Sequence, residues 1–401
     1  MMNESYLKRF EFLFYAFFLV SFSLLAAISP VLGFYVPIIF LALNFGSNKT
    51  FRILISIIIL YSSMFVFASR NIASGSIKDD FANIYFPVFN MLTHGSTIFY
   101  YQFTKGAEFF LPLYFKIIYN VFGISQPVPI MAAVTALCLG LFYIWLEKYG
   151  LKSISENKRS LCVASSLALL VFAVTTQNMR QAISCVFLLY VITFYFERKW
   201  LLFYVFLFLA TTSHVTALLI FPLFTILMGE NERRKKILAA TAVFVSLFFN
   251  IVIGIIIAKG LLGTATYKLL FYADVDSGDM TLGYLKYLFI TCVVGIFYFS
   301  PEHKKYKSLL FYGTFIYFVL TPIPVVSHRL LMLMVAFMNG YLMFLAFFRI
   351  LWVYRIILIG YCVYRIFKIG PYFSPDTGDD SFMNLWFSYP WVGETFLYYL
   401  K

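Results

Sequence analysis

The sequence predicts an all-α, polytopic integral membrane protein with about 11–14 transmembrane helices and short-to-moderate outer loops. Composition is the first reason: 62% of the 401 residues are hydrophobic and 12% charged, where soluble domains average roughly 45–50% and about 25%. The second is run length, since many apolar stretches reach the roughly 17–25 residues that carry a helix across a bilayer. The third is the placement of charge. The net charge of +13 is spread through short loops between apolar runs, as topology determinants on an anionic cytoplasmic leaflet are, and not gathered for nucleic acid. The alternating short strands of an outer-membrane barrel do not occur, so the spans are helical.

Lys8 and Arg9 place the N-terminus in the cytoplasm and make the first apolar run a retained signal anchor. Spans follow at 10–29, 31–45 and 51–68, the last delivering Arg70 to the outer side. Residues 70–126 form the longest non-spanning stretch, and within it Phe109–Phe122 reads as an amphipathic helix lying in the outer interface. Span 127–146 returns to a basic loop with Lys148, Lys152, Lys158 and Arg159. Spans 160–178 and 181–196 make a hairpin with Arg180 at its outer tip.

Residues 200–228 cross twice, because Arg198-Lys199 and Glu232–Lys236 are both cytoplasmic. About 13 residues per crossing is short, which predicts a tilted, broken or re-entrant pair turning at His214. Spans 237–258 and 282–300 flank an outer loop with Lys259, Lys268, Asp274, Asp276 and Asp279. The segment His303–Lys307 is cytoplasmic, and span 308–323 leads to the outer turn TPIPVVSHR. Spans 330–348 and 350–368 then leave the acidic tail SPDTGDD outside. The chain reads as one membrane domain over 1–401, with its outer loop at about 70–126, central Arg/His hairpins at about 160–228 and the tail at about 370–401.

Three outer turns each carry a cation: Arg180 in QNMRQ, His214 in TTSHVT and Arg329 in VVSHR, with Arg70 a fourth. Cations on this side run against the positive-inside bias, and an Arg at mid-bilayer costs about 2.5–3.5 kcal/mol. An anionic ligand on the non-cytoplasmic side is the simplest reason for them; snorkelling to the interface is the other. Phosphate suits arginine, whose planar fork makes two parallel charge-assisted bonds. His214 is a candidate base or phosphate donor, or else a hydrogen-bonded turn histidine. Asp79 and Asp80, in KDDFANIYFPVF, are placed to deprotonate a hydroxyl or hold a sugar, or to cap a helix.

The remaining motifs are negative. Asp274, Asp276 and Asp279 lack the full calcium-loop pattern and its terminal Glu. No Walker loop, GxGxxG fingerprint or zinc spacing occurs, so no nucleotide, metal or other cofactor is expected. The five cysteines, all in apolar segments, read as buried thiols.

The stretch RQAISCVFLLYVITFYFERKWLLFYVFLFLATTSHVTALLIF resembles the central signature of the EpsG-like branch of Wzy-type polysaccharide polymerases, with Arg180, Ala182, His214, Thr216, Ala217 and Leu218 in the matching places. KDDFANIYFPVF is similar to the family's Asp-Tyr-x-x-Tyr segment through Asp80, Ile84 and Tyr85, with Phe81 where a Tyr is expected. SHRLLMLMVAF resembles its Arg-bearing helix start at Arg329. The resemblance covers roughly residues 60–350. It implies polymerisation of O-antigen or capsular repeat units at the periplasmic face of a bacterial inner membrane. The growing glycan would move from undecaprenyl diphosphate to the non-reducing end of a new lipid-linked repeat unit, with a chain-length regulator protein as a further partner. Arg180, Arg329 and Arg70 would hold the diphosphate, and His214, Asp80 or Asp79 would serve as base.

Two other readings stay open. An O-antigen ligase or another polyprenyl-phosphate glycosyltransferase would share the cationic outer cavity, although ligases carry a large late periplasmic loop. A lipid-linked oligosaccharide flippase would need polar groups along the whole transmembrane path, whereas the charges here gather toward one face.

Overall fold

The computed structural model describes residues 4–45, 48–70, 72, 79–258, 278–323, 325–369 and 392–400, and among them every regular element is helical. The outer-loop residues Lys259, Lys268, Asp274 and Asp276 and most of the C-terminal tail lie outside the described residues. The chain opens with α1 (Glu4–Ile28), α2 (Pro30–Ala42) and α3 (Lys49–Ala68). Ser29 ends α1 and caps α2 by accepting from the Leu32 amide, with Pro30 at the first helical position. Asn48 caps α3 by accepting from Thr50 N at 2.9 Å and Phe51 N at 3.2 Å. After a π-helical turn, Phe81–Tyr85, come α4 (Phe86–Thr93), α5 (Phe110–Phe122) and α6 (Pro127–Trp145).

The middle of the chain supplies α7 (Glu156–Ala168), α8 (Val174–Gln177), α9 (Met179–Phe196), α10 (Trp200–Ser213) and α11 (Ala217–Met228). Then follow α12 (Glu232–Ala258), α13 (Gly278–Tyr298), α14 (Lys304–Val319), α15 (Val326–Met332), α16 (Asn339–Ala346) and α17 (Leu351–Ile369). Helix α9 is apolar on nearly every side and is buried accordingly, with α6, α10 and α11 packed around it.

Among the described residues, three helices are long and apolar enough to cross a membrane: Lys49–Ala68, Pro127–Gly150 and Met179–Phe196. The pair Val326–Phe337 and Asn339–Ala346, bent by 64°, adds a fourth if it is one broken span. Large apolar side chains face outward throughout, Phe12 at 71%, Leu201 at 79% and Leu247 at 71% exposure among them. Water rejects such a surface and lipid accepts it, which supports a multi-pass membrane protein.

The sequence places one continuous span at 160–178, and the structure corrects this. Helix α7 stops at Ala168, and non-helical residues 169–173 precede the short α8. The expected span 330–348 is broken as well, at Met338. The two breaks meet: Val171 N donates to Ala336 O at 3.4 Å, so backbone freed from one helix is satisfied by the other. Gly340 makes the approach possible. A Cβ there would stand 2.1 Å from Ser165 O, so only glycine lets α16 lie against α7. Ser165 Oγ closes the contact at 2.5 Å from both Gly340 O and the Tyr354 hydroxyl.

At the far end of α9, Arg52 and Glu147 form a buried fork-to-fork pair at 2.8 and 2.9 Å, with the Tyr143 hydroxyl on the same carboxylate at 3.1 Å. Helix α9 is 18 residues long, so on the order of 27 Å separates its two ends.

Candidate active site

Helix ends converge where α8 gives way to α9. Asn178, at φ −110° and ψ 46°, kinks the chain so that Arg180 stands in the first turn of α9. His214 ends α10 in an extended conformation, φ −159° and ψ 123°, and turns the chain toward α11. Two loops reach in from the N-terminal part of the chain, one carrying Asp79 and Asp80, the other Glu108.

Glu108 is the hub. Its side chain is fully buried, and one oxygen takes a hydrogen bond from the Arg180 guanidinium. The other accepts from His214 Nδ1 at 2.7 Å and from Val215 N at 3.0 Å. Burial alone would raise this carboxyl, but the His214 hydrogen bond and the Arg180 charge outweigh it and hold the carboxyl down at about 2. An ionised carboxylate only accepts, so His214 Nδ1 carries the proton and Nε2 is left facing away from Glu108. The Arg180 guanidinium also lies 4.0 Å over the Phe103 ring and 5.9 Å from that of Tyr85. These faces fix its plane without neutralising it.

Asp80 stands beside this hub. Its backbone N–H donates to Gln177 Oε1 at 3.0 Å, tying the first loop to the end of α8. Burial raises its carboxyl above the ordinary value, and the Arg329 and Arg180 charges within reach pull it partly back. Arg329 is anchored from the same side, since its carbonyl accepts from Gln181 Nε2 at 2.5 Å. Arg180, His214, Asp80 and Arg329 therefore lie in one region of the fold.

Arg70 and Asp79 are placed differently. They face each other across two hydrogen bonds of 2.9 and 2.8 Å, both side chains buried, with Arg70 5.7 Å over the Phe81 ring. Asp79 also accepts from the backbone N–H of Phe81 at 3.1 Å and of Ala82 at 3.2 Å. The pair thus fixes the backbone from which Asp80 projects. His328, next to Arg329, is buried and stacks on Tyr284 at 5.0 Å. His303 is buried at the other end of the molecule, between Ser153 Oγ at 2.8 Å and Ser300 Oγ at 2.7 Å.

Sequence reasoning missed Glu108. A signal was there: it is the sole carboxylate between Asp80 and Glu147, and it sits in an aromatic loop directly before a helix. Among the described residues no three His, Cys, Asp or Glu side chains gather as a metal site.

The family description of EpsG matches residues 76–374, well over half of the chain. The chain belongs to the EpsG family. No curated protein and no solved structure matches it. The family match takes in every member of the cluster except Arg70. In this EpsG-family protein, membership and the long apolar helices agree with the Wzy-like membrane proteins that the Arg180–His214 stretch resembles.

Proposed function

We propose that this EpsG-family chain is a surface-polysaccharide polymerase of the bacterial inner membrane, with about 11–14 spans and the Arg180 cluster on the periplasmic side. It transfers the growing glycan from undecaprenyl diphosphate to the non-reducing end of a new lipid-linked repeat unit, using neither nucleotide nor metal. The observation that carries this reading is Glu108: one buried carboxylate holding Arg180 and His214 in fixed positions, with Arg329 and Asp80 alongside.

In the transfer, the bond between the donor sugar's anomeric carbon and the diphosphate oxygen breaks, and its electron pair leaves with the phosphate. Arg180 and Arg329 meet that growing charge with preorganised donors. The acceptor hydroxyl oxygen forms the new bond and gives its proton to a base. Asp80, whose carboxyl is raised by burial, fits that role, while Glu108, held low, does not. His214 remains the competing base or a phosphate contact through Nε2. Arg70 and Asp79 brace the loop that presents Asp80.

The test is made in cells that synthesise lipid-linked repeat units. Arg180→Ala is expected to abolish long-chain polysaccharide while single repeat units are still made and exported. Wild-type chain lengths in that strain would contradict the assignment, and loss of exported single units would point to a flippase instead.

A further inference from the structure

A cavity opens on elements that neighbour the Arg180 cluster. It has a volume of about 200 Å3 and is lined by the non-helical residues between α7 and α8 together with Tyr284, Asn339 and Arg365. Arg365 is the cation of this cavity. Its Nε donates to the Tyr35 hydroxyl at 3.2 Å and its guanidinium lies 5.0 Å over Phe172. Among the described residues no carboxylate stands within ion-pair distance of it. Asn339, 7% exposed, also lines the cavity, and its amide oxygen has no hydrogen-bond partner. Turned over, that amide would offer N–H groups instead. The backbone N–H groups of Leu170, Phe172 and Ala173, released by the break in the helix, donate to no acceptor among the described residues. A cation, an unused amide and unused backbone donors, placed among helices, describe a site for an oxyanion.

The cavity and the Arg180 cluster share elements. Residues 169–173 line the cavity, and only a few positions later Gln177 holds Asp80 and Arg180 meets Glu108. Tyr284, on the cavity wall, stacks on His328, whose neighbour Arg329 belongs to the cluster. The polymerase reading has two lipid-linked substrates, each with its own diphosphate. The donor's diphosphate sits at the reacting carbon, but the acceptor's lies a whole repeat unit from the reacting hydroxyl, so one anion site cannot serve both.

We propose that the Arg365 cavity is a second phosphate-binding subsite, which holds the diphosphate of the acceptor lipid while Arg180 and Arg329 hold that of the donor. The proposal takes the identity of its ligand from the polymerase reading. Its test is the number of lipids bound by the full chain in nanodiscs, counted by native mass spectrometry with undecaprenyl diphosphate as probe. Wild type is expected to bind two, Arg365→Gln one and Arg180→Gln one, with affinity at the lost site reduced at least tenfold. The lipid retained by Arg365→Gln reports that the variant is folded. If that variant does not fold, Asn339→Leu, which places an apolar side chain in the cavity wall, is expected to bind one lipid in the same way.

Two lipids bound by a folded Arg365→Gln or by Asn339→Leu would overturn the subsite. Equal occupancy by phosphatidylglycerol would also overturn it, revealing a general anionic-lipid site, as would occupancy by inorganic pyrophosphate and not by the lipid. If the counts come out as expected but the reconstituted protein makes no polymer from lipid-linked repeat units, the subsite stands and the polymerase reading fails.

Discussion

Glu108 and His214 are 106 positions apart in sequence and 2.7 Å apart in the fold. The same carboxylate holds Arg180, so the two loops and α9 are locked by one buried charge. Removing that charge leaves two polar groups in a buried place with their partner gone. Charge-assisted hydrogen bonds of this kind are worth about 1.5–3 kcal/mol each. Glu108→Gln is therefore expected to lower polymer yield on the order of 10- to 100-fold, and Glu108→Ala by more. The check is the chain-length distribution on polysaccharide gels at matched protein level. Combined with Arg180→Lys, the loss should fall short of the sum of the two, since both act through one contact.

The Glu108 carboxyl also sets a pH dependence. Its folded value, about 2, lies below the ordinary 4.5. A depressed carboxyl contributes stability above its unfolded value and loses it as pH falls toward the folded one. The Tm of the detergent-solubilised protein should therefore fall as pH drops from about 4.5 toward 2. Glu108→Gln should start lower and show a shallower acid limb; an unchanged limb would mean that Glu108 is not held as described.

Asp80 has the opposite sign. Burial raises its carboxyl, so keeping it ionised at neutral pH costs the fold, and that cost vanishes once the group is protonated. Asp80→Asn is expected to raise Tm at pH 7 while reducing polymer formation at least tenfold. A loss of activity with a lower Tm would instead make Asp80 a structural residue.

The Arg52–Glu147 pair lies at the other end of α9 and takes no part in the proposed chemistry. Arg52→Ala leaves a carboxylate uncompensated, at a cost of about 3–5 kcal/mol. Lower Tm and lower folded yield are expected, with turnover per folded molecule unchanged.

Thiol labelling tests the orientation. Ser213, beside His214, is fully buried and a poor reporter, whereas Tyr101 is 74% exposed. Tyr101→Cys should react with a membrane-impermeant maleimide in intact spheroplasts, and Asn157→Cys, in the basic loop, only after permeabilisation. The reverse pattern would turn the whole arrangement over.

Helix positions were legible because apolar run length and capping residues are local properties. The expected 51–68 and 181–196 appear as Lys49–Ala68 and Met179–Phe196. The breaks at 169–173 and Met338 were not legible. LALLVFAV has neither Pro nor Gly, and it opens where α16 is pressed close through Gly340 and the turn just before it offers Ala336 O to Val171 N. The cations of the cluster could be read because charge at the end of an apolar run is conspicuous in sequence. Glu108 could not be matched to its partners, which lie 72 and 106 positions away. Nor did the sequence show the partner of Arg70, since only the fold pairs it with Asp79.

The central claim is that Arg180, set by Glu108, stabilises the departing diphosphate. It is tested most directly by single-turnover transfer in proteoliposomes, with purified protein, one labelled lipid-linked repeat unit as acceptor and an unlabelled donor. Wild type is expected to convert the label to the two-unit product, and Arg180→Ala to slow that conversion at least 100-fold while still binding the labelled acceptor. Conversion by Arg180→Ala at the wild-type rate would contradict the account.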